Sequence, residues 1–246
     1  AHKVDFIVVS SAIPEDNPEI IWAKQHKITI LRRAEMVNSL MNPYPTRIAI
    51  SGTHGKTTTT ALSVKIAEVA NLKPTYLIGA NRIDNKENAG YGANELFITE
   101  ADESDGSFLF MNPTIGLINN IENDHMNFFE NTDNLLQHFL TFTEDIQHRG
   151  GCTIVNHDDL YIQKLLNEIE HKNTVTFGIN VLSTVMAVNI KQSKDELSYD
   201  LVINNNNEGK VSLSIFGEHN IYNSLAAVAV AYTLNISIET IKTGLN

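Results

Sequence analysis

The sequence predicts an α/β protein: a mostly parallel sheet flanked by helices, a small antiparallel sheet after it, and half of a doubly wound domain before it. Three observations carry this. Short apolar runs alternate with helical periods as far as residue 169, the pattern of strands joined by crossover helices. The alternation breaks at Asn42-Pro43-Tyr44-Pro45, where neither proline suits a continuous helix or a central strand. Beyond residue 184 the strands follow one another with no helix between them.

Each element has a local reason. Phe6–Val9 is a short apolar run ending at Ser10-Ser11 and reads as a buried strand. Asn17-Pro18-Glu19 opens a helix running to Lys24, with Pro near its first position and Glu in the first turn. A strand at 27–31 and a helix at 33–40 complete a β-α-β-α unit too small to bury its own sheet. The proline break then sets a boundary, with domains at 1–44 and 45–246. A strand at 47–50 runs through a Gly-Thr-rich turn into a helix reaching Ala70. Strands follow at 75–78, 96–100 and 114–119. The helix at 132–147 lines up Leu135, Leu136, Phe139, Leu140 and Phe142 on a core-facing side. A strand at 152–155 and a helix at 159–169 end the alternation. Strands at 184–190, 197–203 and 211–215 come next, the last two joined by a polar Asn/Gly turn at 204–209 that predicts a hairpin. Helices at 220–234 and ending at Gly244 close the chain.

Composition narrows the function classes. The 246 residues carry 18 Lys+Arg against 29 Asp+Glu, a net charge of −11, with no basic block. Nucleic-acid binding is excluded on that ground, because neutralising phosphates requires clustered cations. A single nucleotide remains compatible, held by backbone amides and one lysine. The lone Cys152 excludes an internal disulfide and a Cys-x-x-Cys metal site. The longest nearly apolar stretch, 225–234, falls far short of a membrane span. The chain opens Ala-His-Lys-Val-Asp without an apolar leader or an initiator Met, so a cytoplasmic chain cut from a longer one is expected.

Four segments carry chemistry. Ile50-Ser51-Gly52-Thr53-His54-Gly55-Lys56-Thr57-Thr58 joins a strand to a helix through Gly-x-x-Gly-Lys-Thr, a P-loop pattern. Gly52 and Gly55 let the backbone curl around an anion, Lys56 meets the terminal phosphates, and the Thr57 hydroxyl ligates Mg²⁺. Ile50 stands where the strict motif has a further glycine, and His54 reads as a loop residue without catalytic duty. Lys56→Ala is expected to spare the fold, with Lys56 at a loop tip. Glu100-Ala101-Asp102-Glu103-Ser104-Asp105 gathers four carboxylates at a strand's C-terminal end, where α/β sheets bind ligands and where a Mg²⁺ ion offsets their repulsion. His125, after Asn119-Asn120-Ile121-Glu122-Asn123-Asp124, lies on the same edge as a metal ligand or proton carrier. Asn220 and Asn223, one helical turn apart, either read a base edge or serve the helix, Asn220 as its cap.

Together these motifs resemble the Mur ligases. The residues are Ser51 through Thr60, Glu100 through Phe108, Asn120-Ile121-Glu122-x-Asp124-His125-Met126, and Gly217-x-His219-Asn220-x-x-Asn223-Ser224. The closest likeness is to the alanine-adding branch, since no Lys lies between His125 and Lys164 where other branches carry a modified one. Ser104 points away from the peptide-recycling branch, which has Tyr there. Ser10-Ser11 and Arg33-Ala34-Glu35-Met36 resemble the end of that family's N-terminal Rossmann-like domain. The resemblance implies that this chain holds the second half of that domain and all of a central ATPase domain, and lacks a third. It implies ATP-dependent joining of L-alanine to UDP-N-acetylmuramate in peptidoglycan precursor synthesis, with ATP and Mg²⁺. ATP binding falls to Gly52, Thr53, His54, Gly55, Lys56, Thr57, Thr58, Asn120, His219, Asn220 and Asn223. The catalytic residues are Lys56, Glu103 and His125; the metal ligands are Thr57, Glu103 and His125; Ser10 and Ser11 lie on the UDP-sugar side. Asn127 and the 79–92 loop depart from the family pattern. A recycling ligase, or a P-loop ATPase or kinase of other function, is the alternative. The chain alone is expected to keep a folded central domain but not to ligate.

Overall fold

The computed structural model describes residues 4–169, 173–193 and 196–246. The N-terminal unit is β1 (Phe6–Val9), α1 (Pro18–Gln25), β2 (Thr29–Arg32) and α2 (Arg33–Met41). Its strands pair in parallel as a separate two-stranded sheet. Asn17 caps α1 by accepting from the Glu19 amide at 2.9 Å, with Pro18 at the first helical position, as the sequence predicts.

The large sheet takes strands from the rest of the chain: β3 (Thr46–Ser51), β4 (Thr75–Leu77), β5 (Ala89–Gly90), β6 (Leu96–Glu100), β7 (Ile115–Ile118), β8 (Cys152–Asn156), β9 (Thr174–Gly178), β10 (Val185–Gln192), β11 (Leu197–Ile203) and β12 (Asn206–Leu213). Their spatial order is β12-β11-β10-β9-β8-β7-β3-β6-β4-β5. Pairing is parallel from β4 through β6, β3, β7, β8 and β9 to β10. The strands β10, β11 and β12 pair antiparallel and include the expected β11–β12 hairpin, but they form no separate small sheet: they continue the parallel sheet through two β9–β10 pairs. The helices are α3 (Lys56–Val69), α4 (Met126–Phe129), α5 (Thr132–His148), α6 (Leu160–Leu166), α7 (Glu218–Thr233) and α8 (Ile238–Leu245).

Strand alternation divides the core between the two sheet faces. Ile48 and Ile50 of β3 join α3, α7 and α8 on one face, with Val64, Ile66, Leu225, Val228 and Ile241 all fully buried. Ala49 points to the other face, among Phe139 and Phe142 of α5, Ile162 of α6 and the 3-10 turn residue Phe108. Val37 and Met41 of α2 enter this second core, as does Tyr44. So α2, although it precedes the proline break, packs on the large sheet, while β1 leaves Phe6 and Val8 exposed.

Several elements differ from the sequence reading. β9 was not expected, because Thr-Val-Thr-Phe-Gly is short and half polar; Phe177, fully buried, pays its way into the sheet. The hairpin turn is tighter than 204–209: only Asn204 and Asn205 lie between β11 and β12, both with positive φ (48° and 66°). α6 ends at Leu166 instead of residue 169.

Candidate active site

Three parallel strands end together. β3 pairs with β6 on one side and β7 on the other, so Ser51, Glu100 and Ile118 finish at one sheet edge. The expected phosphate loop, acidic segment and His125 segment all leave from that edge.

The loop after β3 is tightly fixed. Gly52 (φ 125°) and Gly55 (φ 83°) both adopt left-handed backbone. A Cβ on Gly52 would lie 2.9 Å from the Asn119 amide, and one on Gly55 2.2 Å from Asn223 Oδ1. The Thr53 amide donates to Asn120 O at 3.1 Å, and the His54 amide to Asn120 Oδ1 at 2.8 Å. Asn119 and Asn120 each return an Nδ2 bond to His54 O, at 3.2 and 3.1 Å. The α3 helix starts after Gly55 with no side-chain cap, which leaves its first-turn amides for an anion. Thr58 lies in that first turn. The backbone curl and uncapped helix fit a bound polyphosphate.

Lys56 does not stand at a bare loop tip. Its side chain is 18% exposed, and Nζ lies 2.9 Å from both carboxylate oxygens of Glu103, which is 1% exposed. Nζ also donates to Gly52 O at 2.7 Å. Burial pushes the Glu103 carboxyl above its ordinary value, and the Lys56 charge and hydrogen bonds offset only part of that. The Thr57 hydroxyl donates to Glu100 Oε2 at 3.2 Å, and Glu100 Oε1 accepts the Gly79 amide at 2.5 Å. Thus the acidic segment presents two carboxylates to the loop: Glu103 to the lysine and Glu100 to the threonine.

The sequence places Glu100 in the acidic cluster but singles out Glu103 as the ligand. The signal for Glu100 was positional: it is the last residue of the strand beside β3, so it meets the first turn of α3. Glu103 and His125 each have a different partner in the structure. Glu103 turns to Lys56, while His125 (φ 57°), at the start of α4, lies 3.7 Å from the Asp124 carboxylate. Among the described residues no group of three His, Cys, Asp or Glu side chains is arranged to hold a metal ion by protein ligands alone.

Two clefts flank the loop. One, about 370 Å³, is lined by His54, Gly55, Asn119, Asn120, His219 and Asn223. There Asn220 is not the helix cap, a position taken by Gly217; its Nδ2 donates back to Phe216 O at 2.8 Å, and its Oδ1 accepts from Asn223 at 3.0 Å. The other, about 480 Å³, brings Lys56, Thr57 and Glu100 together with Gly79, Asn88 and Arg33. Arg33 is paired with Asp102 at 3.3 Å. The 79–92 loop bordering this cleft is pinned by Arg82, which is 7% exposed and donates to both Glu68 oxygens and both Asp84 oxygens at 2.6–3.0 Å. Ser10 and Ser11 line a third cleft, about 540 Å³, together with Lys24, Arg32, Arg33 and Asp105. Burial opposes the Asp105 charge, but hydrogen bonds from Ser107 and Ser11 outweigh it and hold the carboxyl below its ordinary value. Among the described residues no helix is long and apolar enough to cross a membrane.

Known proteins match this chain along nearly its whole length. The sequence profile of the Mur ligase middle domain matches residues 50–231, and that of the Mur ligase family catalytic domain matches residues 1–45. A UDP-N-acetylmuramate–L-alanine ligase of Ruthia magnifica is 40% identical over 97% of this chain and 51% of its own length. One from Aquifex aeolicus is 38% identical over 97% of this chain and 52% of its own length. The chain therefore spans about half the length of these curated relatives. In fold, it superimposes on the UDP-N-acetylmuramate-alanine ligase of Thermotoga maritima with a TM-score of 0.84, at 24% identity, covering 98% of this chain and 54% of that one. The UDP-N-acetylmuramate:L-alanyl-gamma-D-glutamyl-meso-diaminopimelate ligase of Neisseria meningitides gives the same TM-score, 0.84, at 22% identity, covering 98% of this chain and 78% of that one. With the middle-domain profile covering most of its residues, the chain belongs to the Mur ligase family.

Proposed function

We propose that this chain supplies the nucleotide-binding part of an ATP-dependent ligase that joins L-alanine to UDP-N-acetylmuramate, residues 1–44 facing the UDP-sugar and 45–246 the ATP. The observation that carries the reading is the paired arrangement at the loop, Lys56 on Glu103 and Thr57 on Glu100, at the edge where β3 and β6 end. The relatives at 38–40% identity are named as L-alanine ligases, which supports alanine as the amino acid.

In this reading the uncapped start of α3 and Lys56 hold the β- and γ-phosphates of ATP, and the ammonium turns from Glu103 toward the new anion. The sugar's carboxylate attacks the γ-phosphorus, ADP leaves, and an acyl phosphate forms. The amine of L-alanine then attacks the acyl carbon and expels phosphate, giving the amide. One anion must approach another, so charge neutralisation and alignment dominate the rate. A Mg²⁺ ion supplies Lewis-acid neutralisation of the phosphates; Thr57 and Glu100 would hold it, with phosphate oxygens completing its shell. Glu103 and His125 follow strands that end at the same edge, and would hold a second ion that supplies further neutralisation of the phosphates. Arg33 and Lys56 line the second cleft, each paired with a carboxylate, Asp102 and Glu103, that an incoming acidic substrate would displace. Soluble, cytoplasmic action on small-molecule substrates fits the chemistry.

The test is phosphate release from ATP by the longer polypeptide containing this chain, with each substrate omitted in turn. Release requiring both UDP-N-acetylmuramate and L-alanine supports the reading. Release that ignores either would make this an ATPase or a ligase of another kind.

A further inference from the structure

The cleft beside the phosphate loop has a wall that none of the expected nucleotide residues accounts for. Tyr222 of α7 and Asn156, at the end of β8, line it. The amides expected to read a base edge are largely committed elsewhere. Both polar atoms of the Asn220 side chain are bonded, to Phe216 O and to Asn223, and Asn223 Oδ1 accepts from Thr59 at 3.4 Å. Tyr222 is half-buried and lines the open volume.

That ring is held from outside the loop. Tyr222 Oη donates to Asp158 Oδ2 at 3.0 Å. Asp158 in turn accepts the successive amides of Ile179, Asn180 and Val181, at distances from 2.6 to 3.1 Å. Gly178 makes room for this, since a Cβ there would lie 3.0 Å from Asp158 Oδ1. Burial opposes the Asp158 charge, but these donors outweigh it and keep the carboxyl below its ordinary value. Burial and the neighbouring Asp158 carboxylate push the Tyr222 phenol up, so it stays a donor at neutral pH. A carboxylate held by five donors, the Asn180 side-chain amide included at 3.5 Å, is a fixed point, and it belongs to the β8–α6 and β9–β10 loops, not to the phosphate loop.

We propose that Tyr222, positioned by Asp158, is the flat wall on which the nucleobase of the triphosphate stacks. This rests on the nucleotide reading given above and extends it. Phosphate capture belongs to the loop; preference for a base over a bare polyphosphate belongs to Tyr222. Every base has a π-face, so the wall confers base dependence more than base identity.

The experiment compares Mg²⁺-ATP with Mg²⁺-tripolyphosphate, by calorimetry on the full chain. The wild type should bind ATP about tenfold or more tighter than tripolyphosphate, the size expected of one stacked base. Tyr222→Ala should bring that ratio near one while leaving tripolyphosphate affinity unchanged, which also shows the loop still folded. Tyr222→Phe keeps the ring but loses its anchor, and should lose about threefold to fivefold of the ratio. A Tyr222→Ala variant that keeps the full preference for ATP overturns the proposal. If Tyr222→Ala loses both ligands, Tyr222→Phe decides, and an undiminished ratio overturns it. A wild type that binds neither ligand removes the nucleotide reading itself, and this inference with it.

Discussion

Removing the Lys56 ammonium should unsettle the fold in a pH-dependent way. Glu103 is 1% exposed, and its carboxylate rests on Lys56 through two 2.9 Å contacts. Taking away one partner of a buried pair leaves an uncompensated charge, at a cost of about 3–5 kcal/mol. Lys56 keeps 18% exposure, so the low end applies: about 3 kcal/mol for Lys56→Ala at about pH 8. Glu103 has one escape, which is to take a proton. Burial already raises its folded-state pKa above the unfolded one. Between those two values the folded state binds more protons, so stability falls as pH rises through the window. Without Lys56 the folded value climbs further and the window widens upward. The Lys56→Ala penalty should therefore be small at about pH 5 and largest at about pH 8, each unit of added shift contributing about 1.4 kcal/mol. Lys56→Ala/Glu103→Gln should recover most of the loss at the higher pH, because a neutral amide needs no counter-charge. Urea unfolding followed by far-ultraviolet circular dichroism, on wild type, both single variants and the double, reads all of this. A penalty that is pH-independent, or that the double variant fails to relieve, would refute the reasoning. The premise that Lys56 stands at a loop tip is corrected here, since the lysine pairs with a buried acid, and the expectation that Lys56→Ala spares the fold gives way to this prediction.

Three further outcomes follow from the geometry. Gly55→Ala puts a Cβ 2.2 Å from Asn223 Oδ1 at a φ of 83°, and should cost about 1–2 kcal/mol in urea unfolding and most of the ATP affinity in calorimetry. Asp158 has a lowered folded-state pKa, so its contribution is present above the ordinary value of 3.8 and is lost as pH falls through the folded one; the stability gap between wild type and Asp158→Asn should close in acid unfolding. Phe139→Ala, fully buried and 5.1 Å from Phe108 between ring centroids, should cost about 3–5 kcal/mol while leaving the ATP affinity of the folded fraction intact.

The alternation of strands and helices was legible because each crossover strand here is a short apolar run bounded by turn residues. The meander at 185–213 was legible because its strands follow one another without helices. β9 was not, since Thr174 and Thr176 dilute its apolar signal and only Phe177 and the neighbouring strands justify it. The three site segments were legible as motifs, and their sharing one sheet edge followed from the parallel order. Their internal pairing was not. Whether Glu100 or Glu103 meets Thr57 depends on the strand ending at Glu100 and the chain turning back under Lys56, a three-dimensional fact that four carboxylates in six residues leave open. Tyr222 carried no signal either: its role depends on Asp158, 64 residues away and joined to it only by the fold.

The central claim is that this loop cradles a magnesium-bound nucleoside triphosphate, and a crystal structure with Mg²⁺ and a non-hydrolysable ATP analogue tests it most directly. The account predicts the terminal phosphate within hydrogen-bonding reach of Lys56 Nζ, with that ammonium withdrawn from Glu103. It predicts Mg²⁺ at about 2.1 Å from Thr57 Oγ1 and a Glu100 oxygen. Triphosphate bound elsewhere, or bound here with the Lys56–Glu103 pair unbroken and the metal more than about 6 Å from both Thr57 and Glu100, would contradict it.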